Sequence, residues 1–232
     1  VILHSNDVHG ALDGYQYMAG LKADCEAQGA EVILADAGDY SQGSVYVSTS
    51  NGASAIEVMN AVGYDVATLG NHEFDYGYAQ LQENLKNAKF QVLCANILKS
   101  KKTIYPGHTI IEKDGVKIGF FGLDTPQAQT SVNPALIKGL TFKTGQDFKN
   151  CARDQAKALK KEGADIVIAL VHLGVDEQTL PYTSEEAFRG IVGNTVTVKI
   201  VKNKVANSKY LQGNCIEVNI FINALVFHAI SC

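Results

Sequence analysis

Through its first 171 residues the chain alternates strand-length apolar runs with longer segments of helical period, an order that admits few folds. Apolar runs at 1–4, 31–35, 66–69, 91–95, 117–123 and 165–171 read as strands. Helix candidates lie between them at 15–28, 53–61, 78–88 and 146–162. Segments 109–113 and 116–121 flank Asp114-Gly115, a dipeptide suited to the positive φ angles of a two-residue hairpin turn. Strands alternating with helices predict an α/β layered architecture, with helices covering mainly buried sheets.

Composition narrows the function classes. The 232 residues are 46% hydrophobic and 19% charged, enough apolar material for a sizeable core and too little charge for a disordered chain. The net charge of −4 leaves no broad basic field, so a nucleic-acid polymer is not an expected partner. No apolar run approaches the ~20 residues of a membrane-spanning helix. Cys25, Cys94, Cys151, Cys215 and Cys232 are scattered with no CxxC pair, as small packed thiols would be. Val1 has no signal-type segment ahead of it, which reads as a processed chain or a fragment.

The character changes after Arg189. Residues 190–232 hold no Asp, one Glu, four Lys and six Asn, about +3 locally. Segments 195–202 and 216–222 alternate like strands and suggest a terminal hairpin, followed by an apolar finish at 224–230. The expected division is therefore 1–189 as a catalytic domain and 190–232 as an atypical tail.

Metal-binding side chains gather where the strand-like runs end. The first run continues as Asn6-Asp7-Val8-His9-Gly10, the second ends in Gly38-Asp39, and the third in Gly70-Asn71-His72-Glu73-Phe74-Asp75. The run ending at Val171 is followed by His172. In α/β sheets, ligands collect beyond the carboxyl ends of strands, so these loops can converge. Asp7 and His9, two apart in an extended segment, can point to one side and grip one ion. Oxygen and imidazole donors suit Zn, Mn or similar divalent ions rather than a structural cysteine site. A carboxylate between two cations makes a dinuclear site, and Asp39 is the expected bridge. Such a site activates a bridging hydroxide for attack on a phosphate ester. If Asn71 ligates a metal, the adjacent His72 points elsewhere, toward the substrate phosphate, and Asp75 three residues on can orient its ring. Glu73 receives no chemical assignment. The competing reading of His72 and Asp75 is a helix entry with Asp75 as the cap.

Taken in order, these motifs with Tyr76-Gly77 and His172 resemble those of calcineurin-like metallophosphoesterases. They are most similar to the amino-terminal catalytic domain of the 5′-nucleotidase and 2′,3′-cyclic-nucleotide phosphodiesterase family, over about residues 1–188. The resemblance implies a four-layer sandwich of two facing β-sheets flanked by helices. It implies two divalent metal ions, one held by Asp7 and His9 and the other by Asn71 and His172, with Asp39 between them. It makes His72 and Asp75 the catalytic pair and a small nucleotide or other phosphate ester the substrate. It favours a periplasmic, secreted or cell-surface location. One departure stands out: no Gly-His-x-His element follows His172, and His228 is the only later histidine. A truncated or spliced family member is the corresponding expectation, with an inactive remnant that binds one metal or a nucleotide as the alternative to an enzyme.

Overall fold

The structure, a computed structural model, describes residues 1–174 and Tyr182 in full, and the backbone of three later strands at 197–200, 218–222 and 225–229. The chain runs through β1 (Ile2–Ser5), α1 (Leu12–Ala27), β2 (Ile33–Asp36), α2 (Val45–Ser48), α3 (Ala53–Val62) and β3 (Val66–Thr68). A 3-10 turn (Asn71–Phe74) leads to α4 (Tyr78–Leu85), β4 (Gln91–Leu93), β5 (Ile97–Lys99) and β6 (Lys102–Thr103). Then come β7 (His108–Lys113), β8 (Val116–Leu123), α5 (Ala128–Ser131), β9 (Leu140–Phe142), α6 (Gly145–Lys161) and β10 (Ile166–Val171). The later strands are β11 (Thr197–Ile200), β12 (Val218–Ile222) and β13 (Leu225–Ala229).

Two four-stranded sheets dominate. The first is wholly parallel in the order β1-β2-β3-β4. The second has the order β11-β10-β8-β7, parallel except for the hairpin strand β7. Successive strand residues point to opposite faces, and this period divides each strand between two layers. Ile2, Ile33, Val66 and Leu93 of the first sheet meet Ile118, Phe120, Ile168 and Leu170 of the second. Their chain neighbours Leu3, Leu34, Ala67 and Val92 turn the other way, onto Tyr15 and Met18 of α1, Ile56 and Met59 of α3 and Leu81 of α4. On the far side, Phe121, Val167, Ala169 and Val171 pack against Phe148, Cys151, Ala152, Ala156 and Leu159 of α6. That spacing is the apolar stripe of an amphipathic helix. The layers are thus helices, sheet, sheet, helix: the expected four-layer sandwich. Phe120, fully buried at the seam, illustrates the energetics, since its truncation to alanine costs about 3–5 kcal/mol.

The Asp114-Gly115 turn forms as expected, with φ of 50° and 75°. The strand expected at 91–95 stops at Leu93 because the next two amides leave the ladder: Cys94 N–H donates to the Pro106 carbonyl and Ala95 N–H to Gly122. The small sheet β6-β5-β9 was not anticipated. In the tail, the expected hairpin between 195–202 and 216–222 is replaced by different pairings. β11 takes the open edge of β10 in parallel, and β12 pairs antiparallel with β13. The boundary near Arg189 lies outside the described residues. Among those residues, no helix is long and apolar enough to cross a membrane.

Candidate metal centre

Four loops meet at the carboxyl ends of β1, β2, β3 and β10. The loop after β1 lies along the loop after β2, with Asp7 N–H donating to the Gly38 carbonyl and His9 N–H to Asp39, both at 3.0 Å. These pairings correct the expectation of an extended segment: Asp7 and His9 have φ of 52° and 49°, and Asp39 has 62°. Left-handed backbone costs an L-residue about 1–2 kcal/mol, and the cross-loop hydrogen bonds hold all three there. Gly38 and Gly70 let the loops touch. A Cβ on Gly38 would fall 2.6 Å from the Gly70 nitrogen, and one on Gly70 would collide with the Asp39 carboxylate.

Asp7, Asp39 and His172 offer ligand atoms that all lie within 4.8 Å of one another. Asp39 Oδ2 sits 3.0 Å from His172 Nε2 and 3.9 Å from His9 Nε2, while His9 Nε2 is 3.6 Å from Asp7 Oδ1. Asp39 and His172 are buried; Asp7 and His9 are partly open to solvent. Each imidazole is oriented through its other nitrogen: His172 Nδ1 lies 2.9 Å from the Ala37 carbonyl and His9 Nδ1 3.2 Å from the Gln42 carbonyl. A carbonyl only accepts, so each Nδ1 is the donor and, in the neutral ring, each Nε2 lone pair faces the carboxylates. Acceptors facing acceptors at these distances call for a proton or a cation between them, and the donor set fits a divalent ion. The field is cation-seeking: burial opposes a charge on His9, but the nearby Asp7, Asp39 and Glu73 carboxylates outweigh it and raise its pKa.

Asn71 opens the 3-10 turn, half-buried, between Gly70 and His72, both of which contact Asp39. His72 donates its backbone N–H to Asp39 Oδ1 at 2.9 Å, and its ring lies 5.2 Å from that of His9, edge to face. His72 Nδ1 is 2.7 Å from Asp75 Oδ2. The structure therefore brings Asp7, His9, Asp39, His72, Asp75 and His172 together, and Asn71 stands next to them as the residue before His72. Asp75 does not cap the next helix; Gly77 is in that position, without a side-chain cap.

Several neighbours went unassigned from sequence. Glu73 is buried, and its carboxylate accepts from the backbone N–H of Gly70 (2.6 Å), Asp39 (2.8 Å), Tyr40 (2.9 Å) and Ser41 (3.1 Å) and from the Ser41 hydroxyl (2.9 Å). Burial and the Asp39 carboxylate push its pKa upward, against the pull of these donors. Asp36, beneath the β2 loop, accepts from the Ser5 hydroxyl and the Gly38 N–H, and burial raises it to about 8. The sequence carries no signal for Glu73, because four of its five donors come from residues 32 to 34 positions earlier and three of those are main-chain amides. His4 is buried within β1. His108 begins β7 and is clipped to α6 and its C-terminal end through Gln155 (2.6 Å) and Glu162 (3.1 Å).

Two facing sheets with carboxylates and imidazoles at their shared edge define a metallophosphoesterase architecture, and the comparisons agree. Residues 19–197, more than half the chain, match the family described as bacterial capsule synthesis protein PGA_cap. A 5′-nucleotidase of Vibrio cholerae is 34% identical over 186 residues, covering 75% of this chain and 33% of that protein. A 2′,3′-cyclic-nucleotide 2′-phosphodiesterase/3′-nucleotidase of Haemophilus influenzae is 31% identical over 213 residues, 78% of this chain and 32% of that one. The crystal structure of the calcineurin-like phosphoesterase YfkN from Bacillus subtilis superposes with a TM-score of 0.68 at 27% identity, covering 85% of this chain and 70% of that chain. The chain therefore belongs to the PGA_cap family and, with the 5′-nucleotidases, to the calcineurin-like metallophosphoesterases. It spans about a third of the length of the two curated relatives.

Proposed function

We propose that this chain carries the catalytic centre of a divalent-metal-dependent phosphoesterase that hydrolyses nucleotide phosphomonoesters, with cyclic-nucleotide phosphodiesters as a further substrate class. The observation behind this reading is the pair of imidazole Nε2 atoms, His9 and His172, turned onto Asp39 Oδ2 with Asp7 beside them. Asp7 and His9 would hold one ion and Asn71 and His172 a second, with Asp39 contributing its carboxylate to both; the His72 amide engages one oxygen of that carboxylate. Bound there, divalent cations supply positive charge for phosphoryl oxygens and make water acidic enough to yield a nucleophile near neutral pH. The protein's own groups do the rest. Asp75 orients the His72 ring, which sits beside His9 at the partly open rim. From there a protonated His72 can neutralise charge on the phosphoryl group and pass its proton to the departing alkoxide. The relatives' names support the nucleotide class.

The test is phosphate release from AMP with Mn²⁺ or Zn²⁺ added to the purified protein. Asp39→Asn is expected to remove it, and equal release by the two proteins, or full release in excess chelator, would end this reading. A second reading, a non-catalytic binder of one ion, draws on the fact that the Asp7, Asp39 and His172 cluster by itself describes a single site. Calorimetric titration separates the two: two tight Mn²⁺ equivalents support the enzyme, and one equivalent without phosphate release supports the binder.

A further inference from the structure

We propose that Glu73 is the positioning residue of this metal centre, a buried carboxylate that latches the loop carrying Asp39 onto the turn carrying Asn71 and His72. The inference rests on the metal-centre reading and extends it to a residue with no ligand role.

Capping the 3-10 turn would need only the Gly70 amide, three residues before Glu73. The other four donors come from Asp39, Tyr40 and Ser41, which lie 32 to 34 residues earlier in sequence. Three consecutive backbone N–H groups converging on one anion form a concave anion-binding arrangement, here filled by the protein's own side chain. Its effect falls on Asp39. The Asp39 amide binds Glu73 Oε2, while the Asp39 carboxylate takes the amide of His72, the residue next to Glu73. The two loops are thus tied in both directions, and the left-handed backbone at Asp39 is held between the two ties. With both ties made, Oδ2 is the Asp39 oxygen that faces His172 and His9. Released, the loop would be free to relax and carry that oxygen out of register with both imidazoles.

Glu73→Gln tests this, because it keeps the size of the side chain but turns one acceptor oxygen into a donor that meets amide hydrogens. In metal-free protein, amide hydrogen exchange at Gly70, Asp39, Tyr40 and Ser41 is expected to rise about tenfold or more. Exchange in β8 and β10 is expected to stay as in wild type. Calorimetric Mn²⁺ affinity is expected to fall about 10- to 100-fold, the usual consequence of losing a group that orients a ligand. A folded Glu73→Gln protein with wild-type exchange and wild-type affinity would overturn the proposal. So would acceleration spread evenly over every strand, which marks a residue needed only for folding. If Glu73→Gln does not fold, Glu73→Asp keeps the charge but shortens the reach by one methylene. Wild-type exchange at the four amides in that variant would equally overturn it. A wild-type chain that binds no Mn²⁺ would refute the metal-centre reading instead, while the exchange comparison would still decide the latch.

Discussion

Adding one methyl group at Gly70 puts the packing of the site to a quantitative test. A Cβ there would lie 2.8 Å from the Asp39 backbone nitrogen and 2.9 Å from His172 Cε1, and nearer still to Asp39 Oδ1. None of these atoms is the free end of a flexible side chain. Asp39 is held through its amide by Glu73 and through its carboxylate by His72, and His172 is fixed through Nδ1. Forcing a methyl group into such a close-packed place costs about 1–3 kcal/mol. At about 2–4 °C per kcal/mol for a chain of this size, Gly70→Ala should lower Tm by about 2–12 °C. The strain falls on the proposed ligands, so Mn²⁺ affinity should drop on the order of tenfold or more alongside. Gly20→Ala is the control: it lies within α1 with open space at its Cβ position. There, removing backbone freedom from the unfolded chain should stabilise by about 0.5–1 kcal/mol, a rise of about 1–4 °C, with no effect on metal. Scanning calorimetry and metal titration of the two variants give the answer. A Gly70→Ala protein matching wild type in both would mean that the four loops do not meet as described.

Two further outcomes follow from the same geometry. Asp75→Asn removes a charge-assisted hydrogen bond worth about 1.5–3 kcal/mol, and partial exposure of both partners points to the lower end. The expected result is a kcat about tenfold lower with KM little changed in AMP hydrolysis, and an unaltered kcat would rule out the His72 assignment. His4 should shape the acid side of the stability curve, because burial lowers its pKa from 6.5 to about 4. As pH falls, the unfolded chain takes up this proton first, so stability present above pH 6.5 is lost progressively toward pH 4, by about 3 kcal/mol in total. His4→Gln should flatten that slope in urea titrations, and parallel curves for the two proteins would show that His4 does not contribute.

The legible part of this molecule is the part governed by period and by turn chemistry. Runs such as 165–171 show strand length and β-branched content, and Asp114-Gly115 announces its own turn. The clustering of Asp7, Asp39 and His172 was legible because polar donors stood where apolar runs stopped. The strands β5, β6 and β9 were not, because two or three residues carry no measurable period. The backbone at Asp7 and His9 was misread because nothing in an Asp-Val-His triplet signals positive φ; that conformation is set by carbonyls on a loop some thirty residues away. Glu73 was silent for the same reason, since its partners are main-chain amides that every residue but proline possesses.

The donors come from both halves of the sandwich: Asp7, Asp39 and Asn71 follow strands of one sheet, and His172 follows a strand of the other. On the proposed assignment, a nascent chain owns most of its chelating set before the halves dock and bring His172 to it. Ion capture would then act as a timer for assembly. Stopped-flow signals from a bound transition metal should lag behind burial of the first sheet and keep pace with formation of the second.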